Sequence, residues 1–255
     1  MQRGRTRTFV SGLDEALGGG IPNNKVVLIK GTTGTMKSSL AYYILYKNAD
    51  IGRRSLYVTF DQDRESLEQQ MSSLGLEGKD LSDKLQIFDL SKGKEKIEEI
   101  IEKLRKMGEN EKGKGRNERS NETVISILQR RVESIKDKVG FDLIVIDSLD
   151  ALQMVLNPES PRAAMFRFFE WMKNLGLTCF LVSETPLGTD SGRPEPHYED
   201  FLADGIIELR METVGNVDVQ RRIRCIKMRG TKHSTDYYSF FCGKRNFEIA
   251  KAITQ

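Results

Sequence analysis

Val26-Val27-Leu28-Ile29-Lys30-Gly31-Thr32-Thr33-Gly34-Thr35-Met36-Lys37-Ser38-Ser39-Leu40 joins a continuous apolar run to a turn of small residues and then to the first turn of a helix. A buried strand, a tight turn and a helix in that order form a phosphate cradle. Small residues let backbone N–H groups point inward at an anion, the helix start adds the positive end of its dipole, and Lys37 supplies a full charge. Ser38 is placed to bind Mg²⁺ through its hydroxyl, as in the G-x-x-x-x-G-K-[ST] pattern. Gly31, Lys37 and Ser38 are in register with that pattern, but Met36 stands where its second glycine is expected. If the position needs a positive φ, methionine there costs about 1–2 kcal/mol. A Thr/Gly-rich turn before an ordinary surface helix has the same local composition; the apolar Leu40, Ala41, Ile44 and Leu45 argue for the cradle. The predicted nucleotide-binding set is therefore Gly31, Thr32, Thr33, Gly34, Thr35, Met36, Lys37, Ser38 and Ser39.

Working outward, other apolar runs end in acids. Ser55-Leu56-Tyr57-Val58-Thr59-Phe60 leads into Asp61-Gln62-Asp63, Leu143-Ile144-Val145-Ile146 into Asp147, and Thr178-Cys179-Phe180-Leu181-Val182-Ser183 into Glu184. Near-continuous apolar strands separated by helical patterns indicate an α/β fold with a mostly parallel central sheet flanked by helices. Ligands of such sheets sit beyond the carboxyl ends of the strands, where Lys37, Asp61, Asp147 and Glu184 converge as candidate catalytic residues. Asp147 looks like the Walker B acid, facing Ser38 across a Mg²⁺ ion. Leu67 to Leu74, the segment from Val124 to Ile135, and the stretch after Ser160-Pro161 read as helices, and Lys84 to Asp89 as a short strand. From Gly205 to Met211, Val219 to Met228, Tyr237 to Cys242 and Phe247 to Ala250 the pattern is of strands without long helices between them, which predicts antiparallel hairpins added to the sheet.

The 255 residues carry a formal charge of +3, so whole-chain charge argues neither for nor against nucleic acid. Cys179, Cys225 and Cys242 read as reduced residues of a cytoplasmic protein, and no apolar run approaches the roughly 20 residues of a membrane span. Lys106 to Glu122 is almost devoid of core-forming residues and is expected to be a charged, flexible insertion in a single domain spanning residues 1–255.

Two further stretches bear a resemblance. Phe9-Val-Ser-Gly-Leu-Asp-Glu-Ala-Leu-Gly-Gly-Gly-Ile-Pro22, read as a short helix stopped by glycines, and Ile226-Lys227-Met228-Arg229-Gly230-Thr231-Lys232-His233 resemble segments of the KaiC-like branch of the RecA superfamily of ATPases. The resemblance implies a RecA-like P-loop NTPase fold, ATP and Mg²⁺ as ligands, and a hexameric ring in which Lys227, Arg229 and His233 reach the nucleotide of the neighbouring subunit. It also sets Asp61-Gln62 where the family typically carries two glutamates. Asp61 is then the general base or an electrostatic or structural group, with Asp63 as a substitute. The expected activity is slow, Mg-dependent ATP hydrolysis serving a regulatory or signalling role towards a protein partner. The alternatives are a nucleotide-binding module with little or no hydrolysis and, ranked last, a recombinase-type ATPase that uses the scattered Arg5, Arg7, Arg130, Arg131, Arg221, Arg222 and Arg224 on DNA.

Overall fold

A computed structural model describes residues 4–91, 124–154, 161–185, 198–215 and 218–251. The expected insertion from Lys106 to Glu122, the cap at Ser160 and the loop from Pro186 to His197 lie outside the described residues.

The chain opens with a small antiparallel pair, β1 (Arg5–Thr6) and β2 (Ile21–Pro22), around α1 (Leu13–Ala16). The cradle follows as β3 (Val26–Gly31) and α2 (Lys37–Asp50). Then come β4 (Ser55–Thr59), α3 (Arg64–Ser73) and β5 (Leu85–Asp89). The central part is α4 (Val124–Val139), β6 (Leu143–Asp147), α5 (Leu149–Met154), α6 (Pro161–Asn174) and β7 (Thr178–Glu184). The chain ends with α7 (Tyr198–Leu202), β8 (Gly205–Val214), β9 (Asp218–Met228), β10 (Tyr238–Cys242) and β11 (Phe247–Lys251).

Among the described residues, nine strands form one sheet in the order β11-β10-β9-β8-β3-β7-β6-β4-β5. From β8 to β5 the neighbours are parallel, whereas β8, β9, β10 and β11 pair as antiparallel hairpins. This is the mixed architecture expected from the two kinds of apolar pattern.

Strand alternation divides the core in two. Val27, Ile29, Tyr57 and Val145 pack beneath α2 and α3, while Val26, Leu28, Val58 and Ile146 pack against α4, α5 and α6. In α2, residues from Ser39 to Leu45 are buried in succession, so its sequence lacks a polar stripe because little of it meets water. The aromatic-rich helix α6 is chiefly a core element: Phe168, Phe169 and Met172 are buried, while Phe166 is exposed. Cys179 and Cys225 are buried, Cys242 is partly so, and all three are free thiols. The predicted first helix is shorter than its apolar pattern, because Gly18, Gly19 and Gly20 all take positive φ directly after it. The helices α5 and α7 were not anticipated; each is six residues or fewer, too short for periodicity to emerge.

Candidate functional site

The register of the sheet sets four polar strand ends in one row. Gly31 pairs with Glu184, and Asp147 lies between Val182 on one side and Thr59 on the other. Beyond this row opens a cleft of about 460 Å³ whose walls include Met36, Lys37, Ser38, Asp61, Asp147 and Glu184. Thr33, Gly34, Ser39, Gln62 and Gln70 also line it. The predicted phosphate loop and acids thus share one cavity.

The loop has a specific backbone. Gly34 and Met36 both lie in the left-handed region, with φ of 82° and 75°, and Met36 is the N-cap of α2 without a side-chain cap bond. The positive φ that the motif demands is present, and an L side chain occupies it. The thioether is partly buried against the core beside α2, and the Ser39 hydroxyl lies 3.9 Å from its sulfur. That packing offsets part of the conformational cost of about 1–2 kcal/mol. Gly31 is required for a different reason: a Cβ there would stand 2.1 Å from the Leu209 carbonyl oxygen of β8.

Lys37 donates to the Thr32 carbonyl at 2.8 Å, and Thr35 donates to the same oxygen at 2.7 Å. Burial lowers the Lys37 pKa, opposed by the carboxylates of Glu184, Asp147 and Asp150. Asp147 is 8% exposed. Its pKa is raised by burial, and hydrogen bonds from Tyr57 and Ser38 oppose that rise. Glu184 is exposed and accepts from the Thr33 hydroxyl, while its backbone N–H donates to Asp150 at 2.7 Å. Asp61 is exposed on the cleft wall beside Gln62, in a turn pinned by the Thr59 hydroxyl, which donates to the Gln62 carbonyl. Asp63 caps α3 by accepting from the Ser66 N–H at 2.8 Å, which explains its position structurally.

Among the described residues no group of three or more His, Cys, Asp or Glu side chains could hold a metal ion. Mg²⁺ usually takes one or two protein oxygens together with substrate phosphates, and the Ser38 hydroxyl beside the Asp147 carboxylate is an oxygen pair of that kind.

Sequence reasoning missed four contributors. The phenol of Tyr57, inside an apolar run, reaches Asp147. Asp150 holds the Glu184 backbone, and Arg221 reaches the loop through the Gly34 carbonyl at 3.3 Å. Gln70 presents a buried amide oxygen without a hydrogen-bond partner on the cleft wall.

The other predicted group lies elsewhere. Met228 pairs with Gly205, and Gly205 with Val27, so the end of β9 falls at the opposite edge of the sheet. Four residue steps from Val27 to Gly31 span about 13 Å. There, Lys227 donates to the carbonyls of Asp200 and Ala203 at 3.0 and 2.7 Å, and Arg229 pairs with Asp204 at 3.4 Å. The Lys227 pKa is lowered, first by burial and then by Arg229. His233 follows in a segment docked on the glycine turn: Thr231 donates to the Leu17 carbonyl at 3.1 Å, Ser234 N–H donates to the Ala16 carbonyl at 2.9 Å, and a Cβ at Gly18 would meet the Lys232 carbonyl at 2.6 Å. The two segments that carry the family resemblance therefore pack on one another.

Comparison with known proteins identifies relatives of the chain and of its fold. A circadian clock protein KaiC2 of Synechocystis is 26% identical over 244 residues, covering 95% of this chain but 39% of its own length. A UPF0273 protein of Thermotoga maritima is 29% identical over 238 residues, covering 92% of this chain and 91% of its own. The fold matches the crystal structure of a KaiC-like protein of Pyrococcus horikoshii with a TM-score of 0.76 at 23% identity, over 97% of this chain and 99% of that one. The family model described as "ATPase: KaiC" matches residues 6–252, and the chain belongs to the KaiC family of ATPases.

Proposed function

We propose that this chain binds MgATP in the cleft between the phosphate loop and the ends of β4, β6 and β7, and hydrolyses it slowly within a ring of identical subunits. The observation that carries this reading is the convergence of Lys37, Ser38 and Asp147 on one cavity at the carboxyl edge of a parallel sheet. In it, Lys37 exchanges the Thr32 carbonyl for phosphate oxygens, and the N–H groups at the start of α2 receive the remaining negative charge. Ser38 and Asp147 hold Mg²⁺, which when bound neutralises charge on the phosphates. Asp61 orients or deprotonates the attacking water; being one methylene shorter than glutamate, it must sit closer or act through a second water. Glu184 anchors the loop at Thr33.

Lys227, Arg229 and His233 lie too far from the cleft of their own subunit to serve it, which supports their assignment to a neighbour's nucleotide. A cation supplied across the interface stabilises charge that spreads during phosphoryl transfer. Turnover that responds to assembly suits a regulatory or signalling role towards a protein partner. A second reading, nucleotide binding with little hydrolysis, is favoured by Asp61-Gln62 in place of paired glutamates. A DNA-translocating role is weakened by the pairing of Arg222 with Glu212 and of Arg224 with Glu208, both at 2.6 Å.

ATP turnover by the purified protein that disappears in Lys37→Ala and Asp147→Ala is the expected result. Tight nucleotide binding without turnover would favour the second reading, and absence of nucleotide binding would overturn both.

A further inference from the structure

Tyr57 sits in the middle of β4 with 0% exposure, on the face covered by α2. Its ring packs against Tyr42 with centroids 5.7 Å apart. In the sheet it lies beside Val145, two residues before the level of Asp147. Two strand steps are about 6.6 Å, and the length of a tyrosine side chain bridges them: the hydroxyl donates to Asp147 Oδ2. One buried phenol thus holds the carboxylate of the candidate cation site from beneath.

Packing alone does not explain that contact. A phenylalanine would fill nearly the same volume and pack equally against Tyr42. It would take a hydrogen bond away from the carboxylate of Asp147, 8% exposed, and a buried acceptor left short of a partner costs about 1–3 kcal/mol, more when charged. The hydroxyl also breaks the symmetry of the carboxylate. With Oδ2 occupied from below, the other oxygen is the one left to face the cleft. Groups that orient metal ligands in this way commonly change metal affinity by about 10–100-fold when removed.

We infer that Tyr57 is a positioning residue for Asp147, fixing the carboxylate that would hold Mg²⁺ together with Ser38. The inference rests on the reading of the cleft as a MgATP site. Its signature is a split between metal-dependent and metal-independent nucleotide binding. A residue that only filled the core would affect both alike.

The experiment is a titration of fluorescent MANT-ATP into the full chain, in EDTA and across a Mg²⁺ series, for wild type, Tyr57→Phe and Tyr42→Phe. Tyr42→Phe removes a buried phenol from the same aromatic pair without touching Asp147. Thermal melts of all three verify folding. In Tyr57→Phe the affinity in EDTA is expected to stay within about twofold of wild type, while the Mg²⁺ concentration at half-effect rises about tenfold, the equivalent of one charge-assisted hydrogen bond. Tyr42→Phe is expected to leave that concentration unchanged. An unshifted Mg²⁺ dependence in Tyr57→Phe, an equal loss in EDTA and in Mg²⁺, a shift shared by Tyr42→Phe, or a Tyr57→Phe chain that fails to fold while Tyr42→Phe folds would each overturn the inference alone. A wild-type chain whose nucleotide affinity gains nothing from Mg²⁺ would overturn the reading of the cleft itself.

Discussion

The two edges of the parallel sheet both carry charged side chains and treat them differently. At the carboxyl edge, Lys37 rests on a backbone carbonyl, and Asp147 is held by hydroxyl groups at the rim of an open cleft. At the amino edge, Lys227 is bound to two carbonyls and Arg229 to Asp204, all within the same chain. A cation held by a single neutral carbonyl is available to a ligand; one held by two carbonyls, or paired with a carboxylate, must first be released. The first edge is organised to bind, and the second must exchange internal contacts for external ones if it is to act on a neighbouring site.

The sharpest way to break this contrast is at Lys37. If its ammonium meets phosphate in place of the Thr32 carbonyl, Lys37→Ala should weaken ATP binding by roughly 30–150-fold, corresponding to about 2–3 kcal/mol for a charged hydrogen-bonding group. Isothermal titration calorimetry measures this directly. An affinity within twofold of wild type would mean that the cleft does not use the lysine of its loop.

The amino edge is tested by mixing subunits. Lys37→Ala and Arg229→Ala chains are each expected to be inactive alone, while a mixture should regain turnover, because some interfaces then combine an intact loop with an intact Arg229. A mixture as inactive as its components would mean that Arg229 does not serve a neighbour's site.

How far these edges could be read in advance depended on the range of the interactions. The loop, its lysine and the strand-end acids were legible because each is a local pattern: apolar run, small residues, helix. Tyr57 was not, since its role depends on β4 and β6 being neighbours, with Tyr57 beside Val145, and nothing near residue 57 announces that pairing. Arg221 and the loop lie 187 residues apart in the chain and meet only because β9 folds back along β8. At the amino edge, alternation put Lys227 and Arg229 on a common side, but their partners Asp200, Ala203 and Asp204 lie on and beside α7, a helix too short to anticipate.

The carboxyl edge should also carry a stability cost at Asp147. Burial raises the Asp147 pKa, so the folded chain holds that proton more tightly than the unfolded one. Stability therefore falls as pH rises through the ordinary carboxylate range, and the penalty persists above the raised value. Asp147→Asn keeps an oxygen to accept from Tyr57 and removes the charge. At neutral pH, without nucleotide, it should raise Tm by roughly 2–4 °C, as about 1 kcal/mol does in a domain of this size, with the gain shrinking in acid. The same variant should lose the Mg²⁺-dependent part of ATP binding. A lower Tm would mean that the charge is already well compensated.

The smallest effect is expected at Met36, where two contributions oppose one another. Its φ of 75° is strained for an L residue by about 1–2 kcal/mol, whereas its side chain packs on the core beside α2. Glycine removes the strain and the packing together, and adds conformational freedom to the unfolded chain, so Met36→Gly should change stability by less than about 1 kcal/mol. Its effect on the ligand should be clearer, because the thioether lines the cleft and its loss lets phosphate approach the backbone. An increase in ATP affinity of about threefold, worth roughly 0.7 kcal/mol, is the expected outcome by calorimetry. Met36→Ala separates the two terms, since it keeps the strain and loses the packing. It should therefore be less stable than both wild type and Met36→Gly. If alanine and glycine bind ATP equally well and better than methionine, the side chain itself obstructs the phosphate; if only glycine improves binding, the backbone conformation limits it; if neither does, the loop already seats methionine as well as it would glycine.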